Sequence, residues 1–470
     1  MFFFFTNTIK IPEVLKKINK VFKKNGFECY LVGGAVRDFL MKKKPADWDL
    51  TTNATPKQVM SMFKKVIPTG IAHGTVTVHY MEKQIEVTTF RTESQYSDGR
   101  HPDNVEFTGN IKDDLSRRDF TMNAIAVSLD SGKLVDPFHG KKDILKKTIK
   151  TVGNPKERFL EDGLRPIRAL RFASQLGFKI EKNTYNCLFD SQVKEKVSGI
   201  SVERFRDELM KLLKAPRPSD GLKIMEESGI LDIFMPELKT CRGCIQKDDR
   251  GYHVFDVMSH CFYACDGAPR EKPFLRLAAL FHDIGKPDVR KERVENGLKI
   301  INFYNHEKKS TEKTQILMTR LKFSNAEIKY VCHLIENHMF HYESSWSDSA
   351  VRRFIVRVGS EYIDDLIDLR LADMYGKYNK PVRIHDNPAC LLLNELKNRI
   401  EKVEKDSSVL TMKNLAVDGN ALIKAGIPAG KDLGRILKEL FDLVLEDPSM
   451  NTEEKLTECA LKMYQDTKSV

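Results

Sequence analysis

Two aspartates one residue apart, Asp47 and Asp49, are the residues of this 470-residue chain best typed for chemistry, because paired carboxylates can hold one divalent ion. They close the stretch Leu31 to Leu50, LVGGAVRDFLMKKKPADWDL, which also carries a glycine pair and an arginine. A divalent ion bridging protein carboxylates and a nucleoside triphosphate is the usual arrangement for phosphoryl transfer. Arg37 can add a two-pronged, charge-assisted contact to the same phosphates. Gly33 and Gly34 let the backbone turn sharply and come close to a ligand. Alone, a glycine pair is usually a turn and a D-x-D a solvated loop. Their combination in one short stretch makes the chemical reading the stronger one.

The surrounding elements must position these groups. Cys29 to Val32 reads as a buried strand ending at the glycines. Ala35 to Leu40 reads as a helix start, whose free N–H groups favour a phosphate. If Asp47 to Leu50 is a strand, residues two apart face the same way and both carboxylates meet one ion. Residues 9–26 have the periodicity of an amphipathic helix, and Thr55 to Lys65 that of a helix with Pro56 in its first turn. Strand-like runs follow at Val66 to Pro68, Gly74 to Tyr80 and Gln84 to Arg91, predicting a helix-flanked mixed sheet. Glu86 is either a third carboxylate for the metal or a surface-facing strand residue. Residues 91–110 are polar and rich in turn formers, a connector or a moving lid. Next, Arg117, Arg118, Asp119 and Asn123 precede or share a helix with Phe120, Ile125 and Val127. A double arginine is ordinarily a solvated face; following a catalytic sheet, Arg118 is better read as a triphosphate ligand.

From Pro155 onward the pattern becomes almost wholly helical, which marks a domain boundary near residue 150. In Glu157 to Phe178, Asp162, Arg165, Arg168 and Arg171 recur every three residues along one side of a helix, while Leu164, Ile167, Leu170 and Phe172 take an apolar side. Such a stripe is by default solvent-facing. The alternative is a recognition edge, in which an acid accepts from a base amino group and an arginine donates to ring nitrogen and carbonyl. Beyond residue 240 come Tyr252-His253, His260, the doublet His282-Asp283 in an apolar run, His306, His338 and Asp373. A neutral imidazole beside a carboxylate suits a divalent metal.

At 41% hydrophobic and 30% charged, the chain can bury several cores and is expected to be globular and multidomain. A net charge of +11 suggests a polyanionic partner without separating nucleic acid from a membrane surface. Nine cysteines without a repeated C-x-x-C pattern are expected as reduced thiols. The apolar opening Met1 to Phe5 is too short for a membrane span and reads as a tail packed on the body.

Taken in order, Gly33-Gly34-Ala-Val-Arg37-Asp38 with Asp47-x-Asp49, Arg117-Arg118-Asp119-Phe-Thr-Met-Asn123-Ala, Glu161-Asp162-Gly-Leu-Arg165, Arg168-Ala-Leu-Arg171-Phe and Ser201-Val-Glu203-Arg204-Phe-Arg206-x-Glu208-Leu resemble the class II tRNA nucleotidyltransferases. These are the bacterial CCA-adding enzymes, built on the polymerase-β-like fold. The resemblance spans roughly residues 25–215. It implies an α+β chain: a nucleotidyltransferase head with a small mixed sheet over 1–150, then an all-α remainder. That remainder divides into a neck over 151–235, an HD domain over 236–375 and a tRNA-binding tail over 376–470. It implies that Asp47 and Asp49 hold Mg²⁺ and activate the tRNA 3′-hydroxyl, and that Gly34, Arg37 and Arg118 contact nucleotide and phosphates. Asp162 and Arg165 match the pair that reads the base of CTP or ATP, and Arg168 and Arg171 match further nucleotide contacts. The implied activity is template-independent addition of CCA to tRNA in the cytoplasm, with no membrane involved. Poly(A) polymerases of the same superfamily carry an arginine-rich, histidine-ending stretch after D-x-D that Ile67 to His73 lacks. The loop at 91–110 matches one used in passing from C to A addition, which disfavours a CC-only enzyme and leaves A-only addition open. The later histidines resemble an HD domain, whose ligands map to His260, in preference to His253, with His282, Asp283 and Asp373. Such a domain is either a phosphohydrolase with a second divalent metal or a degenerate fold kept for structure. The helical, basic tail suits gripping tRNA through its phosphates.

Overall fold

The computed structural model describes residues 8–45, 47–94, 104–249, 251, 254–380, 387–406 and 411–468. The chain divides into two compact units, Met1–Lys239 with Leu317–Lys322, and Thr240–Ile316 with Phe323–Val470.

The first unit is built on a seven-stranded sheet. Its strands in chain order are β1 (Cys29–Val32), β2 (Asp49–Thr52), β3 (Val66–Gly70), β4 (Thr75–Tyr80) and β5 (Lys83–Thr89), with β8 (Ala126–Ser128) and β9 (Leu134–Val135) added later. Between them β6 (Arg91–Ser94) and β7 (Asn104–Phe107) form a separate hairpin. The spatial order is β3-β4-β5-β2-β1-β8-β9, and the β2–β5 pair is parallel while the others are antiparallel. Alternation sorts the two faces. Val76, Val87, Leu50, Leu31 and Val127 lie in one cross-strand row and are all at most 1% exposed. The next row places Glu86 beside Asp49 on the opposite face. The expected mixed sheet is therefore present, and the acids stand on the face turned away from that apolar row.

Three local expectations change. Strand β2 begins at Asp49, so Asp47 lies in a bend before it and strand alternation does not align the pair. Arg117 and Arg118 follow the helix Ile111–Ser116, and Asn123 ends a short 3-10 turn. Asp162 is extended (φ −139°, ψ 113°) between the helices Pro155–Glu161 and Leu164–Leu176, so of the stripe only the three arginines are helical. Asp162 Oδ1 accepts from the Leu164 N–H (3.0 Å) at the start of the second helix, and Gly163, itself helical in conformation, packs too close for a side chain: a Cβ there would stand 2.4 Å from the Lys196 carbonyl oxygen. Pro166 then falls in the first turn of the second helix, where no backbone donor is required.

The second unit is helical apart from a hairpin of Lys291–Glu295 with Leu298–Asn302, which the helical reading beyond residue 155 missed. The signal was Asn296-Gly297, both at positive φ (51° and 78°), a two-residue turn whose twist matches paired strands. The helices Gly419–Lys424, Lys431–Glu446 and Glu453–Lys468 share a small core centred on Leu422, Ile436, Leu440 and Leu456. All nine cysteines are free. No helix among the described residues is long and apolar enough to cross a membrane. Met1 to Phe5, residues 95–103 of the polar loop, Tyr252 and His253, and residues 381–386 lie outside the described residues.

Candidate functional site

Gly33 is the floor of the first site. At φ +71° it turns β1 into the helix Gly34–Leu40, and a Cβ on it would stand 3.4 Å from Arg118 Nη1 and 3.5 Å from Asp49 Oδ2. The absent side chain thus leaves an acid and an arginine facing one small space. The helix has only seven residues, so the arginines, and not its dipole, are the main positive charge that a phosphate would meet here. Burial pushes the Asp49 carboxyl up, Arg118 partly offsets this, and the Asp47 charge pushes it further. Glu86, exposed and in register with Asp49, is raised by desolvation and by the Asp49 charge. Asp47, Asp49 and Glu86 therefore form an acid group with excess negative charge.

The arginines are held by a continuous buried network. Arg37 donates from Nη1 to Asn123 Oδ1 (3.0 Å) and from Nε and Nη2 to Asp38 Oδ1 (3.0 and 2.9 Å). Asn123 Nδ2 donates to Asp119 Oδ1 (3.1 Å), and Asp119 Oδ2 accepts from Arg168 Nε (2.8 Å). Burial alone would raise the Asp119 carboxyl, but Arg168 and Asn123 hold it down at about 2. Arg171 donates to Glu208 (2.5 Å) and Gln175 (2.7 Å). The Arg37, Arg168 and Arg171 guanidiniums lie 5.3, 5.6 and 3.8 Å from the Phe172 ring centroid, which supports them through its negative face. Asp162 is gripped by Arg204 Nη2 at 3.1 and 3.0 Å. Arg165 is bonded to Glu161 and donates to the carbonyl oxygens of Arg158 and Arg117, each at 3.0 Å. Arg165 and Arg171 are each 7% exposed, so the stripe is no solvent face. Sequence reasoning gave no role to Asp114, Arg204 or Glu208, the buried or half-buried partners that orient these arginines; Arg204 and Glu208 lie in the Ser201 to Leu209 motif.

In the second unit, helix Val257–Gly267 supplies His260, the end of helix Pro273–Phe281 supplies His282-Asp283, and helix Ser360–Tyr378 supplies Asp373. His260 Nε2 lies 3.3 Å from both Asp283 Oδ2 and Asp373 Oδ1, and His282 Nε2 lies 3.3 Å from Asp283 Oδ2. A second set, which the sequence reading did not pick out as candidate ligands, shares Asp283 through its other oxygen: His306 Nε2 at 3.1 Å and His338 Nε2 at 3.8 Å. Two trios, His260–His282–Asp283 and Asp283–His306–His338, each have ligating atoms within 4.8 Å of one another. Atoms bound at about 2.1 Å around one ion stand at such separations. His282, His306 and His338 each point Nδ1 at the carbonyl three residues back (Ala279, Phe303, Ile335; 2.8, 2.7 and 2.6 Å), which turns every Nε2 inward. Burial and the neighbouring His282 and His306 push His338 down to about 3, leaving it neutral for ligation. A cavity of about 400 Å³ opens over these atoms, and Lys286, Arg370, Lys377, Phe303 and Tyr304 line it.

Family models match residues 29–150 (Poly A polymerase head domain), 177–241 (probable RNA and SrmB-binding site of polymerase A) and 250–376 (HD domain). Fold and site together define a polymerase-β-like nucleotidyltransferase joined to an HD domain, families that generally use divalent metals. The chain is 36% identical over 454 residues to the CCA-adding enzyme of Lactobacillus gasseri, covering 96% of each, and 35% identical over 451 residues to that of Lactobacillus johnsonii, with the same coverage. It belongs to the CCA-adding enzyme family. Among solved structures, it is similar to the Bacillus stearothermophilus CCA-adding enzyme in complex with CTP (TM-score 0.73, 25% identity, covering 98% of this chain and 100% of that one).

Proposed function

We propose that the chain adds CCA to the 3′ end of tRNA from CTP and ATP in the cytoplasm. The observation that carries this reading is the acid group at Asp49 facing Arg118 across Gly33, in a chain that matches CCA-adding enzymes over 96% of its length. Asp47 and Asp49, with Glu86 beside them, are oxygen ligands of the kind a hard cation takes, and the raised carboxyls of Asp49 and Glu86 are what a cation relieves; the donor set fits Mg²⁺. Bound there, Mg²⁺ supplies charge neutralisation for the triphosphate and activation of the attacking hydroxyl. Arg118 and Arg37 face the phosphate charge, and Gly34 lets the backbone approach. Asp162 and Arg165 read the base, exchanging contacts with Arg204 and Glu161 for contacts with it. Arg168 and Arg171 support the nucleotide around Phe172. The tRNA 3′-oxygen attacks the α-phosphorus, the α–β bridging bond breaks, and pyrophosphate leaves. In this reading the head is 1–150, the neck 151–235, the HD domain 236–375 and the tRNA-gripping tail 376–470.

Transcripts ending before CCA, after C and after CC, incubated with Mg²⁺, CTP and ATP, give product ends completed to CCA. Asp49→Ala lowers incorporation by about a thousandfold or more. Incorporation that survives Asp49→Ala sinks the reading, A added only after CC indicates an A-adding enzyme, and a long A tail indicates a poly(A) polymerase.

A second activity rests on the HD cluster: metal-dependent phosphohydrolysis at His260, His282, Asp283 and Asp373, extended by His306 and His338. It predicts phosphate release that survives Asp49→Ala and is lost in Asp283→Ala.

A further inference from the structure

Asp114 is the most deeply buried acid of the first site, with a side chain 0% exposed on the helix Ile111–Ser116. Its Oδ1 accepts from Arg117 Nε (3.0 Å) and Nη2 (2.7 Å), and its Oδ2 accepts from Arg118 Nη2 (3.1 Å). Both arginines lie past the helix end: Arg117 is the C-cap, and the Arg118 N–H bonds back to the Leu115 carbonyl (3.4 Å), which anchors the backbone without orienting either side chain. From the other side, Arg165 Nη2 donates to the Arg117 carbonyl. The two-residue segment is thus fixed at its side chains by Asp114 and at its backbone by Arg165.

The consequence falls on Arg118. With Nη2 bound to Asp114, its Nη1 is the nitrogen presented to the space over Gly33, and its Nε is buried without a partner among the described residues. Nη1 is therefore the donor group available to an anion over Gly33. The same tie keeps the guanidinium off Asp49: Arg118 Nη1 and Asp49 Oδ2 flank the same space over Gly33, and a released side chain would pair with that carboxylate directly and compete with a cation.

We infer that Asp114 is a positioning residue for nucleotide binding: it aims Arg118 at the triphosphate and withholds it from the metal-binding acids. This rests on the head's reading as a nucleotidyltransferase. A carboxylate that merely neutralised two arginines would affect stability and leave nucleotide and metal requirements in place.

The test is a double-mutant cycle of Asp114→Asn and Arg118→Ala in the full chain. It measures KM and kcat for CTP and ATP on a tRNA lacking CCA, and CTP binding by fluorescence of Trp48, which lies between the two acids in sequence, in a Trp346→Phe background that removes the other tryptophan. Asp114→Asn is expected to raise KM for both nucleotides about tenfold, with kcat within about threefold, the KM for tRNA unchanged and half-maximal Mg²⁺ shifted upward. In the Arg118→Ala background it adds less than about twofold, and Asp114→Glu recovers part of the loss. Effects of the two substitutions that multiply, or a nucleotide KM within twofold of the parent, overturn the inference. If Asp114→Asn fails to fold, the same cycle with Asp114→Ser decides. If the parent chain incorporates nothing, the transfer reading has failed; the CTP-binding cycle then still decides the role of Asp114.

Discussion

At the residue scale the first site is a set of arginines made directional by buried acids. Asp119 shows the energetic side of this. Its carboxyl, at about 2 against an ordinary 3.8, is ionised more readily in the folded state, so its stabilisation is complete above pH 4 and is lost as pH falls from about 4 towards 2. The shift corresponds to about 2 kcal/mol. Asp119→Asn is expected to flatten the decline of thermal stability over that window, measured by melting from pH 5 to pH 2. Asp162→Ala is expected to lower kcat/KM for both CTP and ATP by about 10- to 100-fold, because a bidentate base contact contributes about 1–3 kcal/mol of discrimination. Steady-state incorporation with each nucleotide checks it, and equal misincorporation of UTP and GTP by parent and variant would count against base reading by Asp162.

At the element scale, glycines mark where backbones must meet. Gly376 on the helix Ser360–Tyr378 leaves no room beside His260: a Cβ would stand 2.9 Å from the His260 carbonyl oxygen and 3.0 Å from its Nδ1. Gly376→Val is therefore expected to destabilise the second unit by about 1–3 kcal/mol and to lower metal retention, as read by denaturant melting and by metal analysis of the purified chain. The elements also show what sequence could disclose. The Cys29 to Val32 strand, the Pro56 helix start and the alternation of β4 and β5 were legible because apolar periodicity and turn chemistry are local. The bend that carries Asp47 was not, since nothing local distinguishes it from a strand entry. The break at Asp162 was hidden because the side chain that accepts from the Leu164 N–H reads in sequence as one more polar residue of the stripe. The second candidate trio was legible as residues but not as a cluster: His306 and His338 stand among other histidines, and only packing turns their Nε2 atoms to Asp283.

At the scale of the molecule, the acid group around Asp49 and the histidine–aspartate cluster around Asp283 belong to two different compact units. Asp283→Ala is expected to abolish phosphate release and reduce bound metal while tRNA completion continues, whereas Asp49→Ala does the reverse; parallel loss of both activities would argue against independent centres. The sheet has a further consequence for how the molecule comes to exist. Strand β1 pairs with β2 close by in sequence, but its other edge closes only on β8, roughly a hundred residues later, and β2 must also find β5 in parallel. Contacts this remote are slow to form, while the helices beyond residue 155 collapse from neighbours. During synthesis the acid site therefore remains without its full frame until Ser128 has left the ribosome, and in refolding Trp48 should reach its native signal after the bulk of the helical signal has returned.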